Sequence, residues 1–389
     1  MSSDRRIRAL VCSNAMYPPK GGGVISLRTV CAGLEEEGFE ISTAYSSSEK
    51  DSQWISHPLG LANSMRGLWP RIWELEGRWQ RAVGRLVESE KPDVVITQQD
   101  IAAPVVRASH SHSVPALVFL QGVDLLCLGS FWSGTPWKCS YRCVGCKDAG
   151  GRLWQFPFFR AELSRIREGL ASADAIVSNS GFTASTLKSI WGIDSTVAFP
   201  ILREPPQRSR AEPGTKILMF SPVPHKGVDI AIDVAERSRD DKFIFVGDAR
   251  ARTIERMRGV PNIEYVPWTS DPESVYRQAK LLMMPSLIPE GFGRGCAEAM
   301  SRGIPCLVST AGALPETMGK GGDVVKNHHD PDEWVAAISK YSDPAYLAKK
   351  SRDALDESMR YRGSKTVDHV AAVLETLVNR RVGSSPGVT

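Results

Sequence analysis

Short apolar runs alternate with helically spaced apolar positions from the start of the chain. Residues 7–12 form an apolar run of strand length. Gly21, Gly22 and Gly23 then open a segment in which Val24, Leu27, Cys31 and Leu34 recur at helical spacing. A second strand is predicted at 39–44. An amphipathic helix through Ile72, Leu75, Trp79, Ala82 and Leu86 precedes a strand at 93–97, and further strands fall at 116–120 and 175–178. Residues 203–215 break the pattern with prolines and charges and read as a linker. Beyond it the alternation restarts, with strands at 216–220, 242–246, 263–266, 281–284 and 306–309, and a last helix at 367–378. Such alternation predicts parallel sheets covered on both faces. The expected class is α/β, with two doubly wound Rossmann-like domains facing across a cleft. The first occupies 1–203 and the second 211–366. Residues 367–389 add a terminal helix, packed back on the first domain, and a frayed tail.

Composition narrows the class. A chain of 389 residues exceeds one ordinary core, and 42% hydrophobic with 24% charged residues excludes a disordered or collagenous chain. A net charge of +4 gives no reason to expect a nucleic-acid partner. No apolar run reaches the roughly 18 residues of a membrane-spanning helix. The first apolar run is too short and too charged for an export signal, so a cytoplasmic protein with reduced cysteines is expected.

The chemistry concentrates in residues 285–305, directly after a predicted strand. Gly291, Gly293 and Gly295 would let a phosphate approach the free amides of a helix start. Glu298 falls one turn into that helix, where a carboxylate can accept both hydroxyls of a ribose, and Glu290 lies on the loop before it. Carboxylates beside a phosphate site suit a ligand carrying phosphate and hydroxyls together, a nucleotide sugar. Each glutamate alone also fits a solvated or capping charge. Lys226, in Pro224-His225-Lys226-Gly227 after another strand, can neutralise a diphosphate or sit as an exposed lysine at a helix start.

Glu290 and Glu298, followed by Ala299-Met300, Gly303-Ile304-Pro305 and residues 312–316, resemble the signature of family 4 of the retaining glycosyltransferases, which have the GT-B fold. Gly21-Gly22-Gly23, Ser178-Asn179-Ser180 and Lys226-Gly227 match further pieces in order, and the resemblance runs from about residue 7 to 340. It implies that Glu298 holds the ribose and Lys226 the diphosphate. It puts Glu290 near the donor sugar and the Gly21–Gly23 loop near the pyrophosphate. Ser221 stands where the family commonly has arginine, which shifts charge compensation to Lys226, the helix start and Arg294. Gln121, with Asp124 beyond it, stands where the family often has histidine; its amide can hydrogen-bond a sugar hydroxyl but cannot titrate. The implied reaction moves a sugar from a nucleotide-sugar donor (UDP, GDP or another) to an acceptor hydroxyl with retention. Glu290, Lys226 and Arg294 are its catalytic candidates. Asp330-Pro331-Asp332 reads as a helix cap, so no catalytic divalent ion is expected. A phosphorylase, an epimerase or an impaired nucleotide-sugar-binding subunit would share the glycines. The accessory-subunit alternative draws on the Ser221 and Gln121 departures.

Cys127, Cys139, Cys143 and Cys146 have spacing that suits a structural four-thiolate zinc, an iron–sulfur cluster or unbound thiols. Trp69, Trp73 and Trp79 share a segment with Arg66, Arg71, Arg78, Arg81 and Arg85. That segment reads either as packing with solvated arginines or as a peripheral membrane contact.

Overall fold

The computed structural model describes residues 5–17, 19, 21–61, 72–123, 126, 156–202, 214–363 and 365–383. The chain divides into two compact units: the first takes in residues up to Ile201 and again from Gly363, and the second spans Leu202–Arg362.

Among the described residues the first unit is a parallel sheet of seven strands: β1 (Arg8–Ser13), β2 (Glu40–Tyr45), β3 (Ile55–Pro58), β4 (Val94–Gln98), β5 (Ala116–Leu120), β6 (Ala175–Ser178) and β7 (Thr196–Val197). Their order is β3-β2-β1-β4-β5-β6-β7. Both faces are covered, because successive side chains of β1 serve opposite cores. Ala9 and Val11 pack with Leu27, Val30 and Leu34 of the helix Gly22–Glu36, and with Val370 and Leu374 of the terminal helix Lys365–Gly383. Leu10 and Cys12 pack on the other side with Trp79, Val83 and Val87 of the helix Ile72–Glu90. Cys12 and Cys31 are fully buried; burial pushes both thiols up, Cys31 to about 12, so they behave as small apolar groups. Gly33 makes room for the terminal helix: a Cβ there would lie 2.5 Å from Val367 Cγ2.

The second unit has, among the described residues, six parallel strands: β8 (Lys216–Phe220), β9 (Lys242–Val246), β10 (Ile263–Val266), β11 (Ala279–Met284), β12 (Cys306–Ser309) and β13 (Gly322–Val325). Their order is β10-β9-β8-β11-β12-β13. Ile217, Met219, Phe243, Phe245, Leu281 and Met283 form the core under the helices Val228–Arg237 and Pro331–Ser339. Each sheet therefore reverses its winding between two adjacent strands, β1 and β4 in the first and β8 and β11 in the second. Open α/β sheets bind ligands outside the carboxyl ends of such a pair.

Three strands carry little sequence signal, and each lies at or near a sheet edge. β3 has no buried residue and ends in Pro58, β7 has two residues, and β13 begins with glycine. A Cβ on Gly322 would sit 1.7 Å from Cys306 O, so this glycine is what lets β13 pair with β12. Asp330 caps its helix by accepting from Asp332 N at 3.0 Å. The linker core at 203–213 lies outside the described residues, as does the tail from 384. Among the described residues no helix is long and apolar enough to cross a membrane.

Candidate functional site

Two ion pairs stand beyond β8 and β11, the switch-point strands of the second unit. The chain leaves β8 through Ser221, whose φ of +55° is unusual for a residue with a side chain. It then makes a 3-10 turn at Pro224–Lys226. Gly227 follows at φ +80°, where a Cβ would meet Pro285 O at 2.0 Å. That contact seats the turn on the loop after β11, and Leu287 N donates to His225 O at 3.1 Å to complete the seam. Lys226 Nζ consequently reaches Glu290 Oε1 at 2.5 Å. Ser286 Oγ donates to the same oxygen at 2.5 Å.

Glu290 is held from the other side as well. It bridges to Gly312 in parallel fashion, and Ala313 N donates to Glu290 O at 2.8 Å. Gly312 has φ +67° and would place a Cβ 2.4 Å from Glu290 O. The Glu290 side chain is only 12% exposed. Burial alone would raise its pKa, but the Lys226 charge and hydrogen bond, with the Ser286 hydroxyl, bring it below the ordinary carboxylate value. Burial and the neighbouring Lys226 lower His225 in turn, against a smaller opposing pull from Glu290.

The second pair lies on the helix Arg294–Met300, which starts from Gly293 at φ +86°. Arg294 Nε donates to Glu298 Oε1 at 2.6 Å, and Tyr276 OH donates to Glu298 Oε2 at 3.1 Å. Arg302 lies over the Tyr276 ring at 4.3 Å and donates to Glu298 O at 2.7 Å, while pairing with Glu273 at 2.8 Å. Burial first, then the Glu298 charge, hold the Tyr276 phenol well above its usual pKa, so it remains a hydrogen-bond donor.

Lys226 and Glu290 thus meet, as do Arg294 and Glu298, and Gly291, Gly293 and Gly295 fall on the loop and helix start between the two carboxylates. Gly22 and Gly23 begin the helix Gly22–Glu36 in the first unit. A Cβ on Gly23 would touch Gln121 Cβ at 3.4 Å, so these two candidates are neighbours. Asp124 and the four candidate metal ligands, Cys127, Cys139, Cys143 and Cys146, lie outside the described residues. Among the described residues no cluster of three or more His, Cys, Asp or Glu could hold a metal ion. Sequence reasoning did not find Ser286 or Tyr276. A serine after a strand and a tyrosine ending a five-residue helix carry no local signature of the carboxylates they serve.

Residues 214–343 match the family Glycosyl transferases group 1. This match covers the second unit's sheet and both ion pairs. The chain is 24% identical over 264 residues to the D-inositol 3-phosphate glycosyltransferase of Acidothermus cellulolyticus, an alignment spanning 56% of each chain. It therefore spans about half the length of that relative. Among solved structures, sucrose-phosphate synthase from Thermosynechococcus elongatus superposes with a TM-score of 0.74 at 15% identity, covering 98% of this chain and 100% of that one. Anabaena HepE in complex with UDP-glucose gives a TM-score of 0.72 at 15% identity, covering 95% of this chain and 100% of that one. The fold is GT-B, in agreement with the two-domain α/β expectation.

Proposed function

We propose that this chain is a glycosyltransferase that moves a sugar from a nucleotide-sugar donor to an acceptor hydroxyl with retention, without an obligatory divalent ion. The observation that carries this reading is the double ion pair at the β8/β11 switch point: Lys226 with Glu290 and Arg294 with Glu298, at 2.5 and 2.6 Å. A donor brings a diphosphate and a ribose diol, and the two pairs match those two chemistries. Glu298 accepts from the diol while Tyr276 keeps one of its oxygens oriented. Lys226 meets the diphosphate, and Arg294 and the amides after Gly293 add to it. Charge grows on the leaving diphosphate as the glycosyl bond breaks through an oxocarbenium-like state, so cations placed there favour the transition state over bound donor. Glu290, kept ionised by Lys226 and Ser286, fixes the ammonium in place and presents a carboxylate toward the sugar. The HepE complexes with UDP-glucose and with UDP support a uridine donor as the first to try.

A thermal-shift screen against UDP-, GDP-, ADP- and dTDP-sugars tests donor binding, since a bound ligand stabilises by mass action. Release of free nucleoside diphosphate then separates an enzyme from an accessory binding subunit. Lys226→Ala should lower kcat more than nucleotide affinity; wild-type turnover in that variant would place the phosphates elsewhere.

A further inference from the structure

A brace of side chains stands behind Glu298 and reaches it from a different helix. Glu273 and Tyr276 lie three residues apart on the helix Pro272–Tyr276, and so on one side of it. Arg302 lies four residues beyond Glu298, as Arg294 lies four before it. At that spacing either arginine could take the Glu298 carboxylate. Arg294 does, through Nε at 2.6 Å. Arg302 is drawn off by Glu273: its Nε and Nη2 lie 2.9 and 2.8 Å from Glu273 Oε2, and its Nη1 donates to the main-chain oxygen of Glu298 at 2.7 Å. The guanidinium lies over the Tyr276 ring at 4.3 Å, and the Phe220 ring packs against the same tyrosine at 5.2 Å. Tyr276 is 3% exposed, so its ring is fixed, and its hydroxyl donates to Glu298 Oε2 at 3.1 Å.

The consequence lies in the lone pairs. An arginine fork would occupy both carboxylate oxygens, whereas Arg294 Nε and the phenol take one site on each. A carboxylate has about four such sites, so each oxygen of Glu298 keeps one to offer. The side chain is 30% exposed, which leaves it accessible to a ligand. We propose that Tyr276, Arg302 and Glu273 are positioning residues that make Glu298 a clamp for two adjacent hydroxyls, so that this chain selects ribonucleotides over their 2′-deoxy counterparts. The inference rests on the proposed function, in which Glu298 accepts the ribose diol. Hydroxyls on neighbouring ring carbons each reach one oxygen, and a 2′-deoxyribose leaves one oxygen unmet. Tyr276 sets the register: without its phenol the carboxylate pivots about the Arg294 bond and stops presenting both oxygens together. Glu273 sets the charge balance: without it Arg302 turns to the carboxylate and fills the sites the diol needs.

Calorimetry on the full chain with paired probes, UDP and dUDP, GDP and dGDP, ADP and dADP, tests this. The pair that binds should favour the ribo form by about tenfold or more, the value of a hydrogen bond to a charged group, and dTDP should bind no better than the deoxy probes. Tyr276→Phe should cut that preference to about threefold, by loosening a hydrogen bond without removing the carboxylate, and should leave affinity for the deoxy form nearly unchanged. Glu273→Gln should also lower ribo affinity more than deoxy affinity, and it keeps the test decisive if the phenylalanine variant does not fold. A purely structural role would lower the melting temperature of both variants and leave the ratio of the two affinities where it was. That result would overturn the proposal and leave Glu298 as the ribose ligand. Equal binding of both forms by the wild type would also overturn it, with phosphate recognition left standing. If no nucleoside diphosphate binds, the donor reading itself falls, and this inference with it.

Discussion

Glu290 and Glu298 occupy the same short stretch of sequence, yet their partners give them different work. Glu298 is bound by a phenol and a guanidinium, and a ribose diol would compete for the same two oxygens. Glu298→Gln should weaken nucleoside diphosphate binding by about 1.5–3 kcal/mol, the value of a charge-assisted hydrogen bond, measured by calorimetry; unchanged affinity would remove Glu298 from the site. Glu290 predicts a pH effect instead. Its folded pKa lies below its unfolded value, so the folded state binds the proton less well. Its stabilisation is complete above the unfolded carboxylate range and fades as pH falls through the lowered folded value. In urea titrations at several pH values, the gap between wild type and Glu290→Gln should be constant near neutrality and shrink in acid. A gap that widens in acid would contradict the assigned direction. The glutamates themselves were legible from residue type and spacing. Ser286 and Tyr276 were not: the turn of the loop after β11 brings the Ser286 hydroxyl to Glu290, and Tyr276 reaches Glu298 from another helix, 22 residues away.

At the level of elements, the seam between the Pro224–Lys226 turn and the loop after β11 decides whether Lys226 and Glu290 meet. Gly227 is its narrowest point, with a left-handed φ and the Pro285 carbonyl against its α-carbon. Gly227→Ala should cost at least about 1–2 kcal/mol for the backbone conformation alone, with more from the clash. Nucleotide affinity should fall with stability, because the turn carries Lys226. A Gly227→Ala protein with wild-type melting and binding would mean the seam can open without consequence. The sequence marks Gly227 only as a glycine after a lysine. That it must be glycine follows from Pro285, brought beside it by the β8–β11 pairing. Ser221 bears on the same seam, since its left-handed backbone turns the chain out of β8 toward it.

On the scale of the molecule, the terminal helix from Lys365 returns to the first unit and fills the core beside Leu27, Val30 and Leu34. The four cysteines between 127 and 146 belong to this scale too, and we propose that a structural four-thiolate zinc would order the segment carrying them. Protein purified without a metal-affinity tag should contain about one zinc per chain, read by elemental analysis and lost when Cys139 and Cys143 are both changed to serine. Four freely titrating thiols and no metal would leave them as ordinary free cysteines. The sequence alone determined the α/β class, the strand–helix alternation, the restart near residue 216 and the placing of Glu290 and Glu298 on the loop and helix that follow a strand. These are local: apolar runs set strands, helical spacing sets helices, and glycines flag places where backbone must come close. Tertiary structure decided what no window of sequence contains. It made edge strands of 55–58 and 322–325, whose pairing supplies what their propensity lacks, and it chose which oxygen of which carboxylate each cation reaches. It also set Asn14 against Asp100, residues 86 positions apart. Parallel sheets join distant segments side by side, so a site at their carboxyl ends is assembled by strand order, and strand order is a property of the whole chain.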